Sequence, residues 1–79
     1  MTKQRLTIND LEAMIVKDVR RRAHCEGFSS FQIYRSDTVP GTNWIPGSTV
    51  NYGGASEHHC DEALREIVPR LQRQYDVSD

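Results

Sequence analysis

A chain of 79 residues has room for one domain with one small core. Its ten Lys or Arg against eleven Asp or Glu leave a net charge of −1, which excludes the strong basic field that draws proteins onto nucleic acid without specificity. No apolar run nears the roughly 20 residues of a membrane-spanning helix. Met1-Thr-Lys-Gln-Arg5 leads into a polar amphipathic segment unlike a signal-peptide core, so a cytoplasmic protein is expected, with reduced cysteines and no contact with a membrane.

Thr7 is placed to cap a first helix, with Asp10 three residues on as in a capping box. Ile8, Leu11, Ile15, Val19 and Ala23 follow at helical spacing as one apolar stripe, widened by Met14 and Val16. Lys17, Arg20, Arg21 and Arg22 lie off the stripe near the C-terminal end, where the helix dipole favours cations, and Gly27 is read as the terminator. Residues 1–6 ahead of the helix are expected to fray.

Phe28 to Arg35 alternates Phe31 and Ile33 with Gln32 and Tyr34, a strand pattern. A second strand is predicted from Asn43-Trp44 to Tyr52, after the loop Asp37–Thr42, with Trp44, Val50 and Tyr52 on one side. Pro46-Gly47 either bulges this strand or divides it in two. The bulge is preferred, because an L-Pro-Gly pair forms turns whose twist suits a two-residue hairpin poorly.

Gly53-Gly54 breaks the sheet, and Ser56 caps a second helix whose first turns carry Glu57, Asp61 and Glu62. Its stripe is Cys60, Leu64, Ile67, Leu71 and Tyr75, with Ala63 and Val68 beside it. Pro69 removes one helix hydrogen bond and predicts a kink. Residues 77–79 are expected to fray.

His24-Cys25 closes the first helix and His58-His59-Cys60 opens the second. Two strands between the helices would make these sites neighbours; three would hold them a helix length apart. Zinc motifs space ligands two to four residues apart so that both face one ion, and adjacent His and Cys do not. Small buried cysteines are therefore the favoured reading. The rivals are a metal site of Cys25, Cys60, His24 and His59, or a redox pair. No cofactor is called for, and no nucleophile motif, catalytic carboxylate pair or phosphate-cradling loop accompanies the histidines. The acids Glu57 and Asp61 oppose an anion at the start of the second helix.

Charge is uneven. Met1–Cys25 carries six cations against three acids, and Ser56–Asp79 three against six. The order helix, strands, helix resembles that of the double-stranded RNA-binding domain. That module presents basic residues at its second helix, which here is acidic; Lys17, Arg20, Arg21, Arg22 and Arg35 are the candidate contacts to nucleic acid or another partner, with the aromatics available for stacking.

Asn43-Trp44 and the run from Cys60 to Asp76, with Leu71-Gln-x-x-Tyr75-Asp76 at its end, resemble a group of short uncharacterised bacterial, mostly proteobacterial, proteins. The resemblance spans the second half of the chain and implies a free-standing bacterial domain without naming an activity.

Together these features predict one α+β domain over residues 1–79: helix, two or three antiparallel strands, helix, both helices on one face of the sheet. The expected function is that of a non-enzymatic binding or regulatory module acting through a protein surface. A nucleic-acid-binding module is the alternative, and a small metal or redox protein the third reading. Unpaired sheet edges also predict a homodimer with Tyr34, Trp44 or Ile45 in the contact.

Overall fold

A computed structural model describes residues 3–78. The elements run β1 (Gln4–Leu6), α1 (Ile8–Arg20), β2 (Ser30–Arg35), β3 (Trp44–Asn51), α2 (Glu57–Gln74) and β4 (Tyr75–Val77).

Thr7 caps α1 as its hydroxyl accepts the Asp10 amide at 3.1 Å, satisfying a donor that has no partner within the helix. Leu11, Ile15 and Val19 are fully buried. The stripe stops there. α1 ends at Arg20, well before Gly27, and Ala23 is exposed. Two short turns, Arg22 amide to Val19 carbonyl and Cys25 amide to Arg22 carbonyl, lead away from the helix. His24 completes the reversal in the left-handed region at φ 68°, which swings the buried Cys25 and Phe28 into the core.

β2 and β3 form an antiparallel hairpin. Ser30 pairs with Asn51 and Phe31 with Val50, then the register jumps so that Ile33, Tyr34 and Arg35 face Pro46, Ile45 and Trp44. The extra residues of β3 bulge opposite Gln32, and the second strand is continuous through Pro46-Gly47. A Cβ at Gly47 would lie 2.4 Å from the Tyr34 ring, so this bulge accepts glycine because an aromatic side chain covers it. At the other end of β3, Gly53 turns the chain at φ 58° with its Cα so close to the Gly27 carbonyl that a Cβ would lie 2.2 Å from that oxygen.

Ser56 caps α2, its hydroxyl accepting from the His59 amide. α2 continues through Pro69 to Gln74, with the proline exposed. It lies antiparallel to α1, bridged by Arg22–Glu66 at 2.7 Å and Arg70–Asp18 at 3.2 Å. Cys60, Leu64, Ile67 and Leu71 from α2 join the α1 stripe and Phe31, Ile33 and Trp44 from the hairpin in one hydrophobic cluster. Both helices therefore cover one hairpin face, and Gln32 and Tyr34 on the other are exposed.

The chain ends depart from expectation. β1 and β4 form a second, parallel two-stranded sheet pairing Gln4 with Tyr75, Arg5 with Asp76 and Leu6 with Val77. Val77 is 2% exposed and part of the core. The frayed ends read from the sequence are thus corrected for residues 4–6 and for Val77; residues 1, 2 and 79 lie outside the described part.

Candidate functional site

The cysteine and histidine residues meet as a two-strand hairpin requires. Cys25 and Cys60 are neighbouring free thiols, both fully buried. Burial, and next the hydrogen bond with Cys25, push the Cys60 thiol up to about 12, so it stays protonated at neutral pH and is a poor nucleophile. Next to them Tyr52 donates to the Asp61 carboxylate at 2.6 Å and meets Phe28 edge-on with ring centroids 6.1 Å apart. That hydrogen bond, with burial second, raises the Tyr52 phenol to about 12. The His24 and His59 rings lie outside this cluster, 4.5 Å apart and exposed. His59 Nδ1 is 2.8 Å from Ser56 Oγ, and His58 pairs with Glu62 at 3.2 Å. Among the described residues no three His, Cys, Asp or Glu side chains gather as a metal would need, and Cys25, Cys60, His24 and His59 therefore do not make the site weighed from the sequence.

The Asn-Trp and Leu-Gln-x-x-Tyr-Asp residues converge at the opposite end. Asn43 acts as a strand in miniature: its Oδ1 accepts the Val77 amide at 2.8 Å and its Nδ2 donates to the Val77 carbonyl at 2.9 Å. Trp44, fully buried, donates its indole N–H to the Tyr75 carbonyl at 2.9 Å, and Gln72 Nε2 donates to the Trp44 carbonyl at 2.9 Å. Lys3 closes the cluster, donating to the carbonyls of Gly41 and Gln72 and pairing with Asp76 at 3.3 Å. Every polar group named here has a partner inside the fold. Trp44 is therefore corrected as a dimer contact: strand alternation turns it inward, and the bulge leaves Ile45 half-buried beside the exposed Tyr34. The residues at strand spacing that were available for base stacking are reduced to Tyr34, since Tyr52 faces Asp61 and Phe28.

The basic residues divide. Arg22 is paired with Glu66, and Arg20 Nε donates to the Phe28 carbonyl at 2.6 Å. Arg35 has an interaction of its own. Lys17 and Arg21 are exposed and make no ion pair or hydrogen bond with a described side chain. Together with Arg20, Ser29, Ser30 and Phe31 they line a cleft of about 600 Å³ between α1 and β2. At its other end Glu12 accepts the Ile33 amide at 2.9 Å, capping the edge of β2.

A second groove of about 560 Å³ runs between α2 and β3. Phe31, Val50, Leu64 and Val68 give it an apolar wall, Pro46 and Pro69 face it from the strand and the helix, and Asp61, Arg65 and Gln72 set its rim. Pro46 and Pro69, read from the sequence as irregularities of their own elements, border this one groove together.

Comparison with protein-family models, curated proteins and solved structures finds no match for this chain. No helix among the described residues is long and apolar enough to cross a membrane.

Proposed function

We propose that the protein is a small, non-enzymatic binding module of the bacterial cytoplasm that holds an apolar segment of a protein partner in the groove between α2 and β3. The observation that carries this reading is the groove itself, an apolar trough open to solvent beside the core. Arg65 on its rim has no ion pair with a described residue and offers a charged anchor. A partner strand adding to the sheet is disfavoured, because Pro46 removes a donor from β3, Gln72 engages the Trp44 carbonyl and Glu12 caps β2. Side-chain packing into the groove is the mode left. Against an enzymatic reading, among the described residues Cys60 and Tyr52 are held neutral and Ser56 serves as a helix cap.

The exposed Tyr34, directly opposite Ile45 on the uncovered hairpin face, supports a homodimer as the second reading. Sedimentation at micromolar concentration separates the two, since a single 9.1 kDa species removes the dimer. The groove is tested by incubating immobilised protein with extract of the native host, using the parent and Arg65→Glu. A partner retained by the parent and lost by an equally stable Arg65→Glu supports the groove; equal retention by both contradicts it.

A further inference from the structure

We infer that the cleft between α1 and β2 is a separate binding site for a small phosphomonoester with an apolar body. The cations around the C-terminal end of α1 differ in their partners. Arg22 points toward α2 and is neutralised by Glu66 at 2.7 Å, while Asp18 on the same side takes Arg70 at 3.2 Å. Lys17 and Arg21, one helical turn apart, border Asp10 and Asp18 on the α2 side yet form no ion pair with either, and both line the cleft beside Arg20 on the β2 side.

The facing wall completes the chemistry. Ser29 and Ser30 line it, and neither hydroxyl has a hydrogen-bond partner among the described residues. Two hydroxyls opposite three cations suit a dianionic oxyanion, which accepts several charge-assisted hydrogen bonds at once. The floor of Ala13, Val16 and Phe31 is apolar, and a cleft of about 600 Å³ exceeds a bare phosphate, so the remainder of the ligand has apolar surface to cover. Glu12, the acid in the same cleft, lies five residues before Lys17 and nine before Arg21, about 7.5 and 13.5 Å by helical rise, and its carboxylate is engaged by the Ile33 amide at 2.9 Å. The cations also answer the negative end of the α1 dipole; that role alone would leave the cleft without a ligand.

The experiment follows backbone amide shifts of the full chain on titration with phenyl phosphate, inorganic phosphate and a single-stranded RNA dodecamer, all at constant ionic strength. Phenyl phosphate is expected to shift the amides of residues 17–21 and 29–31 saturably and to bind more tightly than inorganic phosphate. Lys17→Gln with Arg21→Gln should weaken it by about tenfold or more, the loss expected on removing charged hydrogen-bond donors, and Arg21→Gln alone by less. Arg73→Gln should leave the affinity unchanged. Because Lys17 and Arg21 are exposed and unpaired, the variants should unfold with the parent. Shifts that do not saturate and are reproduced by chloride would overturn the proposal, as would equal affinity in the double variant. RNA saturating these amides where phenyl phosphate does not would replace it with a nucleic-acid site.

Discussion

The Asn43-Trp44 end of the molecule and the α1–β2 cleft contain equally conspicuous residues, yet they differ in what their polar groups do. At the first, the side chains of Asn43, Trp44, Gln72 and Lys3 all bond to backbone carbonyls or amides of other elements, at 2.8 to 2.9 Å where Asn43, Trp44 and Gln72 do so. At the second, the side chains of Lys17, Arg21, Ser29 and Ser30 find no hydrogen-bond or ion-pair partner among the described residues. A motif that looks chemical can thus be wholly structural. A solvated helix face can hold the groups left free for a ligand. The same contrast separates Cys60, held neutral by burial beside Cys25 in the core, from the open groove beside Arg65.

The sharpest way to break this contrast is to remove its largest structural member. Trp44→Ala should cost about 3 to 5 kcal/mol through lost burial and a cavity, nearly all the stability of a domain this small. Loss of cooperative urea unfolding is the expected result. Ile67→Ala, 1% exposed between the helices, should cost about 2 to 5 kcal/mol by the same mechanism.

Alkaline pH probes the neutral core groups. Cys60 and Tyr52 have ordinary values of 9.0 and 10.0 and are raised to about 12 in the fold. The unfolded chain therefore releases these protons first. The stability they contribute is fully present below about pH 9 and is lost as pH climbs toward 12, so urea midpoints should fall across that window. Cys60→Ala should flatten the lower part of the decline, and Tyr52→Phe the upper part. The smallest effect belongs to the unpaired surface: Arg21→Ala should change stability by no more than about 0.5 kcal/mol in the same titration.

Where the sequence was legible, local rules decided. The Thr7 and Ser56 caps, the Leu11–Ile15–Val19 stripe and the Pro46-Gly47 bulge each follow from a few neighbouring residues. The hairpin then implied that Cys25 and Cys60 would meet. What escaped was settled over long range. β1 and β4 have three residues each, too few for a visible alternation, and β4 is held from far along the chain by Asn43 at Val77 and by Lys3 at Asp76. Helical periodicity carried α1 on to Ala23, whereas burial of Cys25 and Phe28 required the chain to leave the helix at Arg20 and turn at His24. Both grooves lie between elements distant in sequence, and no linear pattern announces them.

The most direct test compares the two regions in one measurement, urea unfolding of Asn43→Ala beside that of the double variant Lys17→Gln, Arg21→Gln. Asn43→Ala leaves the Val77 amide and carbonyl without their partner and should cost about 1 to 3 kcal/mol. The double variant should stay within about 0.5 kcal/mol of the parent. An Asn43→Ala protein as stable as the parent, beside a clearly destabilised double variant, would contradict the assignment of structure to the first region and free binding groups to the second.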